Sequence, residues 1–299
     1  MWTSIASLLA LLSSSAALNI ILTNDDSWAS ANIRRWARRA PSRVSAADTM
    51  SMRFIADVGA PYFGHDVKNP DLFYFNGTPA AAVVFGIDIL APIHFGSNPI
   101  DLVVSGPNEG QNNGPFTFTL SGTVGATYTA VERGIPAVAF SAGNGTHRSF
   151  TTNTGDTSDP ANLAAQVVVN IVRALSNNVN VSQERLLPLG IGMSVNIPTF
   201  GPGINCTSPP STFTRLTGGA TVNQITLDPT TGFPVANNLE ARGVNANING
   251  VRDDPGETPT SAGCETAVSI FSVDYDAPER IAVPIQRRLR KNIRADNLP

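Results

Sequence analysis

Three short, predominantly apolar runs that each break off into a polar loop limit what this chain can fold into. Leu18 to Leu22 stops at Thr23-Asn24-Asp25-Asp26, Ile100 to Val104 stops at Ser105-Gly106-Pro107-Asn108, and Ile135 to Phe140 gives the third. Runs of this length without strict alternation fit strands buried on both faces. The segments between them read as helices. Thr78 caps one, with Pro79 at its first position, running towards Leu90. A second starts near Ser121 and runs to about Arg133. A third opens at Asp159-Pro160 and sets Leu163, Val167, Ile171 and Leu175 on one face. Strands alternating with helices imply βαβ units and a parallel sheet. The expected fold is therefore α/β, a Rossmann-like and mostly parallel sheet flanked by helices. Its core is read over 18–175. Residues 176–299 are rich in Asn, Thr, Gly and Pro with short apolar runs such as Leu189 to Val195, and predict a smaller β-containing extension.

The 299 residues suffice for one large or two modest domains. Charged residues make up 14% of the chain and the formal net charge is −3, so nothing global suggests steering towards nucleic acid. Residues 1–17 read as a signal peptide: Ile5 to Leu12 is apolar, and Ser15-Ala16-Ala17 offers a cleavage site after Ala17. A buried N-terminal helix is the alternative. No other segment approaches the ~20 apolar residues of a membrane span, so a secreted protein, free of the membrane after cleavage, is expected. Export suits a disulfide between Cys206 and Cys264, against two free buried thiols. It also suits the glycosylation sequons at Asn76, Asn144, Asn180 and Asn205. The basic end, Arg287 to Arg294, reads as a helix with a solvated face rather than a site for an anionic partner.

The chemistry sits where the strands stop. In an open parallel sheet the ligand crevice lies beyond the carboxyl ends of the strands, so Asp25, Asp26 and Asn108 would converge on one rim. Such oxygen ligands suit Mg²⁺, Mn²⁺ or Ca²⁺. Adjacent aspartates repel unless a cation or protons neutralise them. Ser121-Gly122-Thr123, at a helix start, would turn free N–H groups and the positive end of the helix dipole towards a phosphate. The loop from Gly106 to Gly114 adds glycines for close approach and amides, Asn112 among them. A metal beside a phosphate suggests metal-assisted hydrolysis, with a bound water as attacking group. Each piece also has a plain reading: an Asp pair as a turn, Ser121 as an ordinary N-cap, an Asn/Gly-rich stretch as a loop.

Taken in order, Ile21-Leu22-Thr23-Asn24-Asp25-Asp26, Gly77-Thr78-Pro79-Ala80, Ser105 to Gly114, Ser121-Gly122-Thr123-Val124-Gly125-Ala126, Gly134-Ile135-Pro136-Ala137 and Phe271 to Asp276 resemble the SurE (survival protein E) family. The resemblance implies a Rossmann-like domain with a C-terminal extension, assembled as a homo-oligomer. It also implies metal-dependent hydrolysis of phosphate monoesters, nucleoside 5′-monophosphates included, with acid phosphatase activity as in secreted fungal-type members. Carried over residue by residue, Asp25, Asp26 and Asn108 match the metal ligands. Ser121, Gly122 and Thr123 match the phosphate segment, and Asn112 lies in the same loop as a further substrate contact.

The sequence departs from that pattern over 34–58. The family places a helix, a second strand and a serine metal ligand there. Between Arg34 and Met52 the large apolar residues are Trp36, Val44 and Met50. A crossover needs at least ~10–12 residues plus a strand of about five, and no buried strand can be written from this stretch. It reads as a deletion or a mis-joined exon that leaves a gap in the sheet, with Ser42 or Ser45 as the serine ligand. Two other functions remain open. A catalytically impaired binding protein would follow from such a gap. A serine esterase would need a Gly-x-Ser-x-Gly elbow, which is absent, and a base from His65, His94 or His147.

Overall fold

The computed structural model describes residues 18–26, 30–39, 44–49, 62–144, 146–153, 155–177, 179–248, 250 and 254–289. The expected signal peptide 1–17, Ser42 and the basic end past 289 lie outside them. Eleven strands are described: β1 (Ile20–Thr23), β2 (Val44–Thr49), β3 (Phe63–Asp66), β4 (Asn69–Phe75), β5 (Leu102–Glu109), β6 (Ala137–Ala142), β7 (Ile191–Ile197), β8 (Ser211–Thr214), β9 (Thr221–Leu227), β10 (Pro234–Glu240) and β11 (Thr266–Ser272). The helices are α1 (Ala31–Arg39), α2 (Pro79–Phe85), α3 (Ala91–Phe95), α4 (Gly114–Leu120), α5 (Gly122–Glu132), α6 (Pro160–Ser176), α7 (Glu257–Ala262) and α8 (Glu279–Leu289).

Nine strands form one sheet in the order β3-β4-β2-β1-β5-β6-β7-β11-β8. The six from β4 to β7 run parallel, and β3 and β11 pair antiparallel at the two ends of that run. From β1 the chain moves outward through β2 to β4, then returns to place β5 on the other side of β1. The β1–β5 seam is thus the topological switch point, where a crevice opens at the carboxyl ends of the strands.

Alternate residues of the central strands feed two separate cores. Ile20, Leu22, Leu102 and Val104 pack with Ile33 of α1 and Ala164, Ala165, Val168 and Val172 of α6. Ile21 and Val103 pack on the opposite face with Val83 of α2 and Ala126, Ala130 and Val131 of α5. Each such aliphatic side chain, taken fully out of water, contributes roughly 1.5–3 kcal/mol. The face predicted for α6 is displaced. Its buried stripe is Ala161, Ala164, Ala165, Val168 and Val172, and Val167, Ile171 and Leu175 pack at the margin of the core. Alanine lets a helix approach its neighbours closely, so the larger side chains flank the contact. Among the described residues no helix is long and apolar enough to cross a membrane.

The expected gap next to the site does not exist. β2 pairs parallel with β1, Ile20 opposite Val44 and Leu22 opposite Ala46, and on its other side with β4. A strand is held by main-chain hydrogen bonds whatever its side chains. A search for large apolar residues therefore passes over Val-Ser-Ala-Ala-Asp-Thr. Residues 176–299 contribute β7, β8 and β11 to the main sheet, while β9 and β10 form a separate two-stranded ribbon. Cys206 and Cys264, 58 residues apart, form a disulfide as expected. It ties the loop after β7 to the chain entering β11. Cys206→Ala with Cys264→Ala should lower stability by about 2–5 kcal/mol. Thermal unfolding of the variant and the oxidised parent checks this; equal midpoints would refute it.

Candidate active site

The rim at the switch point is built from the ends of β1, β5 and β6 and the start of α5. Beyond Thr23 the chain turns at buried Asn24, whose Oδ1 accepts the Asp25 N–H at 3.0 Å. Asp25 and Asp26 then diverge. Asp25 reaches α5: its Oδ1 accepts the Thr123 hydroxyl at 2.6 Å and its Oδ2 the Thr123 N–H at 3.1 Å. Gly122 is needed for this approach, because a Cβ there would stand 2.7 Å from Asp25 Oδ2 and 2.6 Å from Pro79 Cγ. Ser121 is the N-cap, its Oγ accepting the Val124 N–H at 3.1 Å. The groups expected to face a phosphate freely are thus partly engaged within the protein. The negative group at the start of α5 is the Asp25 carboxylate, which the positive end of a helix favours.

Asp26 turns to the other side. Its Oδ2 accepts the Glu109 N–H at 2.6 Å, which fastens the β1 loop to the end of β5. Asn108 and Glu109 lie within β5 itself, past a register irregularity against β6 between Ser105 and Asn108. Gly106 makes that bend possible: its φ is +100°, and a Cβ would fall 2.1 Å from the Phe140 carbonyl oxygen. The Asn108 side-chain amide donates to the Gly110 carbonyl at 2.9 Å.

Glu109, read above only as part of a motif, and His147, read only as a base for an esterase, complete the cluster. Glu109 has a side chain only 2% exposed, and its Oε2 lies 2.5 Å from Nδ1 of His147, which is itself 3.7 Å from Asp26 Oδ1. The Ser30 hydroxyl donates to Glu109 Oε1 at 2.6 Å. Donor atoms of Asp26, Glu109 and His147 all lie within 4.8 Å of one another, a span that one divalent cation can bridge. This donor set fits such an ion. Burial, and next the charge of Asp25, push the Asp26 carboxyl up to about 7, against the lowering effects of the Glu109 N–H and His147. The signal was present in the sequence. Glu109 is the carboxylate of the very loop that carries Asn108, and His147 follows β6, whose carboxyl end shares the rim.

Asn112 is buried behind the rim. Its N–H donates to Asn196 Oδ1 at 2.8 Å and its side-chain amide to Ser141 Oγ at 2.7 Å, so it holds the loop against β6 and β7. Ser45 pairs with Ile21 in mid-sheet, well before the strand ends. The Gly110–Gly114 stretch is further anchored by Glu257, whose fully buried carboxyl accepts the Gly114 N–H at 2.6 Å and the Ser269 hydroxyl at 2.8 Å.

The comparisons with known proteins agree with one another. Residues 20–219 match the family model described as Survival protein SurE. An acid phosphatase of Yarrowia lipolytica is 38% identical over 298 residues, covering 89% of this chain and 82% of that protein. A 5′-nucleotidase SurE of Methanopyrus kandleri is 34% identical over 134 residues, 42% of this chain and 48% of the relative. The crystal structure of the SurE protein from Aquifex aeolicus superposes with a TM-score of 0.61 at 22% identity, covering 90% of this chain and 98% of that one.

Burial lifts the Glu257 carboxyl from its ordinary 4.5 to about 7, against the lowering effect of its hydrogen bonds. The folded state therefore binds this proton more tightly than the unfolded chain. The resulting stability is complete below about pH 4.5 and is lost as pH rises through about 7. The full difference is about 3 kcal/mol. Glu257→Gln should flatten the fall in denaturation midpoint between pH 5 and 8 that the parent shows; parallel pH profiles would refute the assignment.

Proposed function

This chain belongs to the survival protein SurE family, and from that premise we propose how its rim hydrolyses phosphate monoesters as a phosphatase of the acid phosphatase and 5′-nucleotidase type. The observation that carries the reading is the 2.6 Å bond from the Glu109 N–H to Asp26, which joins the β1 aspartates to the Asn108 strand end at the switch point. Asp25, Asp26 and Asn108, the residues matching the family's ligands, would hold a divalent cation. Oxygen donors of this kind favour Mg²⁺ or Mn²⁺, with Ca²⁺ as a further candidate. When bound, the cation supplies Lewis acidity towards the phosphoryl group.

The chain's own residues supply position. Thr123 fixes both oxygens of the Asp25 carboxylate, and Gly122 keeps that approach free of a side chain. Ser121 and Gly122, with Thr123, form the phosphate side of the proposal at the start of α5. Asn112 acts on the substrate indirectly, by holding the loop that carries Asn108. Ser42, matched to the family's serine ligand, remains part of the proposed metal set and lies outside the described residues.

A small phosphate ester or nucleoside monophosphate is the substrate class, without nucleic acid as partner. Secretion, glycosylation and self-assembly extend the proposal. The segment 1–17, the disulfide and the exposed sequon residues Asn180 and Asn205 support export. The alternative of an impaired binding protein drew on a gap in the sheet that β2 fills.

Purified protein should release phosphate from 4-nitrophenyl phosphate and from a nucleoside 5′-monophosphate, and EDTA should stop both. Asp25→Asn should lower kcat/KM by at least the ~10–100-fold that loss of an outer-shell partner costs a metal site. Turnover that survives both EDTA and this substitution would overturn the assignment.

A further inference from the structure

We infer that Glu109 and His147 complete, with Asp26, a mixed nitrogen–oxygen cation site that selects a transition-metal ion over Mg²⁺ and Ca²⁺. The inference rests on the phosphoesterase reading of the same rim and goes beyond it by naming ligands and an ion class that the strand-end motifs do not supply. Its three residues come from the ends of β1, β5 and β6, which are consecutive neighbours in the sheet.

Each carboxylate has one oxygen committed to a fixed partner and the other turned into the cluster. Asp26 Oδ2 accepts the Glu109 N–H, while Oδ1 faces His147. Glu109 Oε1 accepts the Ser30 hydroxyl, while Oε2 faces the same ring nitrogen. Ser30 is itself placed by a bridge to Ser149, two residues past His147. Outer hydrogen bonds that aim the inner atoms of first-contact ligands are the usual support of a metal centre.

Charge argues the same way. The side chains of Asp26 and Glu109 are 9% and 2% exposed, and Asp25 adjoins Asp26 in the chain. Buried like charges this close repel unless a cation compensates. His147, 71% exposed, can back away from Glu109 far enough to admit an ion between them. A ring nitrogen changes which ion is preferred. Imidazole adds little for Mg²⁺ or Ca²⁺ but binds the later first-row ions well, with affinity rising from Mn²⁺ through Co²⁺ and exceeding both at Zn²⁺.

The test uses the full chain freed of metal by chelator. Isothermal titration with Mg²⁺, Mn²⁺, Co²⁺ and Zn²⁺ is run at one neutral pH on the parent, His147→Gln, Glu109→Gln and Asp25→Asn. The visible absorption of bound Co²⁺ is recorded alongside. His147→Gln should raise the Kd for Co²⁺ and Zn²⁺ by about tenfold or more, shift the Co²⁺ bands, and leave the Mg²⁺ Kd within about twofold. Glu109→Gln should weaken all four ions, since it removes a charge. His147 is exposed, so its replacement leaves the fold intact, which a thermal melt verifies. If His147→Gln keeps the parent's Co²⁺ affinity and spectrum while EDTA still abolishes turnover, the inference is wrong and the phosphatase reading stands. If the parent binds none of these ions and turns over ester in EDTA, both are wrong.

Discussion

Two carboxylates cannot stand side by side at the end of a buried strand without something to separate or neutralise them. The fold separates Asp25 and Asp26 by giving them different partners. Asp25 meets the hydroxyl and N–H of Thr123 at the start of α5. Asp26 meets the N–H of Glu109 at the end of β5. The sheet order makes both partners available, because β5 lies directly against β1 and α5 follows β5 in the chain. A residual cost remains: burial, and after it the charges of Asp25 and Glu109, raise the proton affinity of Asp26.

The rim is held from behind by a polar layer that carries no chemistry of its own. Ser141, Asn196 and Glu257 take the side chain of Asn112, its N–H and the N–H of Gly114 in turn. These groups come from β6, β7 and α7, so later parts of the chain, as far on as Glu257, fix the loop between β5 and α4. Buried polar groups of this kind hold a loop in one conformation because leaving any of them unpaired is costly. The disulfide between Cys206 and Cys264 ties the chain just past α7 to the loop after β7.

Much of this was legible in the sequence. Apolar runs with abrupt polar ends gave β1, β5 and β6, and cap residues gave the starts of α2, α5 and α6. The placing of Asp25, Asp26 and Asn108 on one rim followed from the rule that strand ends of a parallel sheet share a crevice. Failures came where side chains are poor witnesses. β2 has few large residues, and its pairing is a matter of main chain alone. The buried stripe of α6 is built on alanines, which a search for leucine and isoleucine passes over. Glu109 and His147 lie at strand ends that the sequence marks, but nothing in it pairs them. Their meeting depends on a bent strand end and a bridge between Ser30 and Ser149, neither of which leaves a spacing in the sequence.

The contact between Asp25 and Thr123 has a consequence for what leaves the crevice as well as for what enters. The helix start already holds an internal anion, a placeholder covalently part of the chain. A phosphate bound at that helix start, as proposed, would share its binding groups with a competitor that never diffuses away. With those donors already taken by a carboxylate, the helix end would hold a released phosphate less firmly than a bare helix start would.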